Sequence, residues 1–331
     1  MMNPDNSVAA VVVTYNRKEL LRNCVEHLLS QDGAKCDILI IDNASSDGTR
    51  EMLESEFDNS SIRYLNTGSN IGGAGGFMCG IEAAAMMGYE YVWIMDDDCL
   101  PSVTALRELL TFGNRLGSDW GFLSSAVYWT DGSLCKANRA KRDLFRHVDS
   151  VSENDEAIRI VMGSFVSMLV PTKVIREVGL PIGEYFIWTD DYEFSGRVSK
   201  RYPSYLVPAS KVIHAMAENT RADLAEAEGE RINRFRILYR NDVHCYSGHG
   251  LPGRVYLVAK ALYTAFDVGM RTEADGRKLK FRVLMEGYRD GLCFNPEISY
   301  PHIINGNETS HGDSSSMGSV SDSNYSAMVE G

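Results

Sequence analysis

A short apolar segment that ends abruptly on three adjacent carboxylates sets the first constraint on the fold. Residues 91–95 read Y-V-W-I-M, and Asp96, Asp97 and Asp98 follow at once. A short, continuous apolar run of this kind is typical of a buried β-strand, and a helical pattern begins after Pro101. Open α/β sheets bind their ligands beyond the carboxyl ends of the strands. The sequence therefore predicts a binding site at the three carboxylates.

The alternation of side chains along an extended chain separates the three carboxylates into two groups. Asp96 and Asp98 point to one side of the chain, and Asp97 points to the other. Asp96 and Asp98 are therefore candidate oxygen ligands for Mg²⁺ or Mn²⁺. The alternative interpretation is a solvated acidic turn that caps the next helix, and the three carboxylates taken alone leave both interpretations open.

Apolar runs alternate with helical patterns along the N-terminal part of the chain. Residues 8–13, 37–41 and 62–65 are three such runs, and apolar residues recur at helical spacing between them. Strands that alternate with helices indicate a parallel sheet with right-handed crossovers. We therefore expect an α/β fold of the Rossmann-like type, with a mostly parallel central sheet and helices on both faces. Further along the chain, residues 161–170 are predicted as one strand.

The pattern divides the chain into three parts. Residues 1–220 are expected to form the α/β domain and residues 221–304 a C-terminal helical region. Residues 305–331 are rich in Ser, Asn and Gly and are expected to form a disordered tail. The helical region is an amphipathic helix pair that closes the core, a surface that meets anionic lipid, or both. Its basic residues are Arg254, Lys260, Arg271, Arg277, Lys278, Lys280 and Arg282.

Composition limits the class of function. The net charge of -12 argues against a general nucleic-acid binder. Seven cysteines without a C-x-x-C pair argue against a disulfide framework or a zinc site, and they favour reduced thiols. The polar N-terminus does not resemble a signal peptide, and no apolar run reaches the roughly 18 residues that span a bilayer. We expect a cytoplasmic protein, with any membrane contact peripheral and at the inner face.

Two segments are candidates for contact with a nucleotide. Asp42 ends the second predicted strand, and its carboxylate can accept the N–H of a uracil or thymine ring or bind a ribose hydroxyl; the alternative is an Asx-turn or a helix N-cap. Residues 72–76 are rich in glycine, which lets a loop backbone approach a diphosphate. The alternative for this segment is a turn before a small-residue helix, and it matches neither the P-loop nor G-x-G-x-x-G.

An acidic pair and one histidine complete the candidate residues. Asp190 and Asp191 follow an aromatic run, and two adjacent carboxylates can raise one pKa and produce a general base. The alternative is a helix N-terminus at which negative charge is favoured by the helix dipole. His214 ends a short apolar run and is either a third metal ligand or a structural histidine.

Together these residues fit a nucleotide-sugar transferase. A cation held by Asp96, Asp98 and His214 would neutralise the charge on a departing nucleoside diphosphate. Asp191 would deprotonate an acceptor hydroxyl that attacks the anomeric carbon from the opposite face, which is an inverting displacement. Two other classes of protein remain open, a non-catalytic nucleotide-sugar-binding module and a metal-dependent nucleotidyltransferase. A nucleotidyltransferase would usually have a basic triphosphate-binding loop near the N-terminus, and Arg17 with Lys18 is weak support for one.

Seven motifs spread over about residues 8–245 resemble the family 2 inverting glycosyltransferases of the GT-A fold. They are V-V-V-T-Y-N-R, I-I-D-N-A-S-S-D-G-T, N-I-G-G-A-G-G-F, W-I-M-D-D-D, T-D-D-Y-E-F, the histidine at 214 and L-Y-R-N at 238–241. Within the family the chain looks most like bacterial galactofuranosyltransferases and rhamnosyltransferases. The N-I-G-G-A-G-G-F segment followed by M-D-D-D is similar to the galactofuranosyl branch.

The resemblance implies a role for each matching residue. Asp96 and Asp98 would hold Mn²⁺ or Mg²⁺ with His214, and Asp97 adds a third carboxylate to the donor pocket. Asp191 would be the catalytic base with Asp190 beside it. The residues implied around the donor or the acceptor sugar are Thr14, Tyr15, Arg17, Asp42, Asn70, Gly72, Gly73, Gly76 and Trp188.

The resemblance also implies the substrates. The donor would be UDP-galactofuranose, with dTDP-rhamnose as the alternative. The acceptor would be a hydroxyl of a glycan or a lipid-linked molecule in the synthesis of cell-surface polysaccharide. The sequence indicates no nucleic-acid partner and leaves the oligomeric state open.

Overall fold

The computed structural model describes residues 7–57, 60–152 and 154–302. The predicted disordered tail, residues 305–331, lies outside the described residues. A nine-stranded sheet has the order β3-β2-β1-β4-β8-β6-β9-β5, and β7 pairs with β9 beside this path. The strands are β1 (Val8–Thr14), β2 (Asp37–Asp42), β3 (Ile62–Asn66), β4 (Tyr91–Asp96), β5 (Cys99–Pro101), β6 (Leu123–Tyr128), β7 (Ile158–Ile160), β8 (Met168–Pro171) and β9 (Ser204–His214).

Helices connect the strands and then form the C-terminal region. They are α1 (Lys18–Leu29), α2 (Thr49–Glu56), α3 (Gly72–Met86), α4 (Ala105–Leu116), α5 (Thr172–Val178), α6 (Asp190–Ser199), α7 (Arg231–Ser247), α8 (Gly250–Arg271) and α9 (Ala274–Cys293). A short 3-10 turn, Gly183–Tyr185, precedes α6. In the part of the chain described, no helix combines the length and the apolar character that crossing a bilayer requires.

The first four strands of the sheet run parallel to one another. β1 pairs with β2 and with β4, and β2 pairs with β3, all in parallel. In this register Thr14 lies opposite Asp42, and Val13 lies opposite Asp96. The carboxyl ends of the strands therefore present their polar residues at one edge, and the predicted α/β class is confirmed. The pairs β4–β8, β6–β8, β5–β9 and β7–β9 are antiparallel.

Both faces of the parallel strands are buried. Along β1, Val11 belongs to one hydrophobic cluster with residues of α3, and Val12 belongs to a second cluster with residues of α1 and α4. Successive side chains of a strand point to opposite faces, so a strand covered by helices on both faces reads as a continuous apolar run. This arrangement explains why the N-terminal runs were recognisable in the sequence.

The glycine-rich segment, which we predicted as a loop, is the first turns of α3. A Cβ atom added to Gly80 would lie 2.4 Å from Cγ1 of Val11 and 2.8 Å from Cγ1 of Ile41. A Cβ added to Gly76 would lie 2.6 Å from Cγ1 of Val13. These glycines therefore allow the helix to pack closely against β1 and β2, and the prediction of a loop was wrong.

The predicted strand at residues 161–170 was also wrong over most of its length, because only Met168–Pro171 forms a strand. Among the described residues, the preceding segment has only an isolated bridge, between Met162 and Lys141, and some of its amides bond to side chains. The amide of Gly163 donates to Ser195 Oγ at 3.0 Å, and the amide of Val166 donates to Ser164 Oγ at 3.2 Å. This irregular segment places Ser164 near the carboxyl edge of the sheet.

We predict that two glycines of α3 respond oppositely to replacement by alanine. Gly80→Ala should lower the free energy of unfolding by about 1–3 kcal/mol, because the added methyl group overpacks the helix–sheet interface. Gly73→Ala has open space around its added Cβ and should be neutral or stabilising by up to about 1 kcal/mol. Urea unfolding of both variants tests this, and equal losses of stability in both would contradict the packing explanation.

Candidate functional site

Strand pairing brings His214 to the acidic end of β4. In the antiparallel ladder of β5 and β9, Cys99 lies opposite His214. The amide of Ala215 donates to the carbonyl oxygen of Asp98 at 2.9 Å, which extends this pairing by one residue. β5 begins directly after Asp98. Backbone hydrogen bonds therefore fix His214, which is distant in the sequence, beside the carboxylates.

Asp96, Asp98 and His214 form a cluster suited to a cation. One ligand atom from each residue lies within 4.8 Å of the other two. His214 Nε2 is 2.9 Å from Asp98 Oδ1. Apart from this contact, Asp98 Oδ1 is buried with no partner among the described residues. Two carboxylates and an imidazole at this spacing fit Mn²⁺ or Mg²⁺, whose opposed ligands are roughly 4–4.6 Å apart.

The charges of this cluster depend strongly on one another. Burial works against a charged imidazole, but Asp98 and Asp96 raise the pKa of His214 to about 10. Burial and the neighbouring Asp98 raise the pKa of Asp96 to about 7. Burial also opposes ionisation of Asp98, yet His214 and Arg17 hold its pKa below the usual range. The cluster therefore retains protons that a bound divalent cation would displace.

Asp97 points away from this cluster, as the alternation of side chains predicts. Its Oδ2 accepts from Thr14 Oγ1 at 2.8 Å, and its Oδ1 accepts from Arg17 Nη1 at 2.8 Å. The second nitrogen of the guanidinium, Nη2, donates to Asp98 Oδ2 at 2.9 Å. The ambiguity among the three carboxylates is thereby reduced, since Asp97 joins β4 to the start of α1 and is absent from the three-residue cluster.

Asp42 is buried and bonded within its own loop. Its Oδ1 accepts from the amide of Ser45 at 2.9 Å and from the Ser45 hydroxyl at 2.5 Å, and its Oδ2 accepts from the Tyr64 hydroxyl at 2.6 Å. This is the turn geometry that we named as the alternative to nucleotide contact. Tyr15, in contrast, is exposed at the same edge of the sheet.

The residues around the start of α3 have different surroundings. Asn70 accepts the amide of Gly72 through its side-chain oxygen at 2.9 Å. Gly72 has a φ of +78°, and a Cβ there would lie 2.1 Å from the carbonyl oxygen of Phe186. Gly73 faces open space in the cleft, whereas Gly76 is packed against Val13. Of the predicted glycines, only Gly73 lines the cleft.

A cleft of about 540 Å³, open to solvent, contains the cation cluster. Its other wall carries the acidic pair at the N-terminus of α6. Eight of the predicted site residues line this cleft, whereas Thr14, Tyr15, Asp42, Asn70, Gly72, Gly76 and Asp97 do not. The eight are Arg17, Gly73, Asp96, Asp98, Trp188, Asp190, Asp191 and His214.

The loop before the acidic pair has an unusual backbone. Phe186, Trp188 and Thr189 have φ values of 64°, 67° and 70°, a region that non-glycine residues rarely adopt. The side-chain nitrogen of Asn241 lies 3.0 Å from the carbonyl oxygens of Tyr185 and Ile187 and 2.9 Å from that of Trp188. Asn241, on α7, therefore holds the strained loop. The sequence analysis recognised the L-Y-R-N motif that ends in Asn241, but not the contacts of Asn241 with this loop.

Burial and mutual repulsion change the acidity of the pair. Burial, followed by the charge of Asp190, raises the pKa of Asp191 well above its usual value. Burial raises the pKa of Asp190 to about 6. A hydrogen bond with Ser164 partly opposes the shift at Asp191. A carboxylate of this kind is a stronger proton acceptor, once ionised, than an exposed one.

A chain of polar contacts connects the cluster to the acidic pair, and no sequence motif indicated it. Cys135 Sγ lies 3.9 Å from His214 Nδ1 and donates to Asn138 Oδ1 at 3.7 Å. Asn138 Nδ2 donates to Ser164 Oγ at 2.9 Å, and Ser164 bonds with Asp191. These residues lie in connecting segments with no motif, so only the folded chain brings them together.

Comparison with solved structures identifies the fold. The chain superposes on GalNAc-T7, solved with UDP, GalNAc and Mn²⁺, with a TM-score of 0.60 and 13% identity over 87% of this chain and 56% of that one. It superposes on the mannosyltransferase PcManGT from Pyrobaculum calidifontis, in complex with GDP-Man and Mn²⁺, with a TM-score of 0.52 and 14% identity over 88% of each chain. These similarities show the GT-A fold.

Sequence comparison identifies the family. Residues 9–121 match the family described as Glycosyl transferase family 2. The galactofuranosyltransferase GlfT1 of Mycolicibacterium smegmatis is 29% identical over 199 residues, which is 58% of this chain. The match covers 65% of that relative, just under two thirds of its length. The resemblance drawn from the motifs is confirmed at the level of the family and of its galactofuranosyltransferase-like members.

We predict that Asp98→Ala weakens the binding of Mn²⁺ by at least about tenfold, because it removes one of three clustered ligand atoms. Asp32→Ala is the matched control, since the Asp32 side chain is 78% exposed on the surface. Isothermal titration calorimetry of Mn²⁺ in the presence of UDP measures the effect. An unchanged affinity in Asp98→Ala would remove this residue from the set of ligands.

Proposed function

We propose that this protein is a metal-dependent, inverting glycosyltransferase that moves a sugar from a nucleoside-diphosphate sugar to an acceptor hydroxyl. The observation that carries the proposal is the placement of Asp96, Asp98 and His214 in the same cleft as the buried Asp190 and the half-buried Asp191. A cation site opposite a carboxylate of raised pKa is the arrangement that a displacement at an anomeric carbon requires.

Different residues of the cleft would serve different parts of the reaction. Asp96, Asp98 and His214 would hold Mn²⁺ or Mg²⁺, which neutralises the negative charge that develops on the departing diphosphate. Arg17 adds a fixed positive charge at the same wall. Asp191 accepts the proton of the acceptor hydroxyl while the oxygen of that hydroxyl forms a bond to the anomeric carbon. The bond from that carbon to the diphosphate oxygen breaks on the opposite face, and the configuration is inverted.

Galactofuranose is the sugar that we favour. The support is the similarity to a galactofuranosyltransferase and the presence of UDP in one structural relative. Transfer of rhamnose from dTDP-rhamnose is the alternative within the family. Trp188, whose ring packs 5.3 Å from that of Phe235, lines the cleft where an acceptor sugar would stack. The proposed acceptor is a glycan or a lipid-linked molecule of a cell-surface polysaccharide.

Two other functions are weighed against this one. A non-catalytic sugar-nucleotide-binding module has no use for a buried carboxylate of raised pKa, so the acidic pair disfavours it. A nucleotidyltransferase would release pyrophosphate from a nucleoside triphosphate, whereas the proposed enzyme releases UDP or dTDP from a nucleotide sugar. We propose that the protein is cytoplasmic, with any membrane contact peripheral and at the inner face, and its seven free cysteines suit a reducing compartment.

We predict that Asp191→Asn lowers kcat by about 10²–10⁴-fold, because the amide cannot accept the hydroxyl proton. The affinity for UDP and Mn²⁺ should stay within about twofold of the wild type, since Asp191 is not among the clustered ligands. Release of UDP from a panel of UDP sugars measures kcat, and calorimetry measures binding. Full activity in Asp191→Asn would exclude this residue as the base.

We predict that the rate depends on pH through Asp191. A protonated Asp191 cannot act as a base, so kcat should rise with pH as this carboxyl ionises. The charge of Asp190 raises the pKa of Asp191, so Asp190→Asn should lower that pKa and move the acid limb of the profile to lower pH. The measurement is kcat against pH at saturating donor and Mn²⁺. An acid limb that stays in place or moves to higher pH would contradict the assignment.

A further inference from the structure

The outer face of α8 carries a row of large apolar side chains that the described residues leave exposed. Seven of them are between 55% and 75% exposed. Most are spaced by three or four residues, so they share one side of the helix. Ala259 and Gly269 occupy the same side, and no charged residue interrupts it. The seven are Leu251, Val255, Val258, Leu262, Tyr263, Phe266 and Met270.

The opposite face of α8 is fixed to the rest of the protein. Leu257 and Val268 are buried, and Lys260 Nζ donates to Asp242 Oδ2 on α7 at 2.6 Å. The apolar row therefore lies outside the packing between α8 and the rest of the described protein. Contiguous exposed apolar surface of this kind marks a site of association.

The neighbouring helix α9 adds positive charge. Lys278, Arg282, Met285, Arg289 and Leu292 follow one another at spacings of three or four residues, and all five are exposed. Cations that alternate with apolar side chains on a helix surface are complementary to anionic lipid headgroups above acyl chains. This surface is basic although the chain as a whole has a net charge of -12.

We propose that the outer faces of α8 and α9 are a docking surface for an anionic lipid bilayer. The purpose of such docking rests on the proposed function. Lys260, on the inner side of α8, and Tyr246 beside it line the cleft. Docking through the outer face would bring the acceptor end of the cleft to the membrane. The inference thus specifies the acceptor as one carried by a lipid.

A second copy of the chain is the competing occupant. In an isologous dimer the same patch meets itself around a twofold axis. Both copies would then bring the cations Lys278, Arg282 and Arg289 into one interface, and like charges across an interface oppose association. An anionic bilayer satisfies both the apolar row and the cations, so the charges favour the bilayer.

The test is flotation of the full chain with phosphatidylcholine vesicles prepared with and without phosphatidylglycerol. The wild type should bind the anionic vesicles and lose affinity as salt is added. Leu262→Glu combined with Phe266→Glu should weaken binding by at least about tenfold. Arg282→Gln combined with Arg289→Gln should abolish the preference for anionic vesicles. Val103→Glu, at an apolar residue 52% exposed before α4, is the matched control and should bind as the wild type does.

Several results would overturn the proposal. The wild type could fail to bind either kind of vesicle, or bind only after residues 303–331 are removed. The Leu262→Glu and Phe266→Glu double variant could also bind as well as the wild type. A dimer in light scattering that the same double variant dissociates, with vesicle binding unaffected, would assign the surface to a second copy. Release of UDP from the donor should be equal in all these variants, so vesicle binding and the transferase proposal can fail independently.

Discussion

Repulsion among three adjacent carboxylates, two of them buried, is the constraint on which the rest of the site depends. Asp97 and Asp98 are almost completely inaccessible, and adjacent buried charges of one sign are strongly unfavourable without a compensating charge. Arg17 bridges the two through separate nitrogens, and His214 contacts Asp98 from β9. These contacts fix the loop after β1 and the end of β9 relative to β4. The charge that remains on Asp96 and Asp98 is what a divalent cation would neutralise.

The two walls of the cleft are built differently. One wall is the carboxyl edge of a parallel sheet, where backbone register determines the positions of the polar side chains. The other wall is a loop with three residues of positive φ, held by the side chain of Asn241 on the C-terminal helices. Strain of this kind persists only where surrounding contacts enforce it, and it is concentrated at functional sites. The C-terminal helices therefore position the acidic pair as well as forming an outer surface.

The sequence predicted those parts of the structure that follow from local pattern. Continuous apolar runs identified the parallel strands, and their polar ends had to meet at one edge, so the grouping of Asp96 and Asp98 was predictable. The helical start of α3 was not, because the reason for Gly76 and Gly80 is contact with side chains of β1 and β2. Asn138 and Asn241 were also missed as functional residues, since neither stands next to a strand end. Their partners are determined by tertiary packing, which no local pattern encodes.

The central claim is that Asp96, Asp98 and His214 jointly bind one divalent cation beside the donor diphosphate. Anomalous diffraction at the manganese edge, from crystals containing Mn²⁺ and UDP, tests it most directly. The account predicts one strong peak at roughly 2.0–2.4 Å from an oxygen of each aspartate and a nitrogen of the histidine, with diphosphate oxygens completing the coordination. A peak elsewhere in the cleft, or UDP bound in full occupancy with no peak at these residues, would contradict the claim.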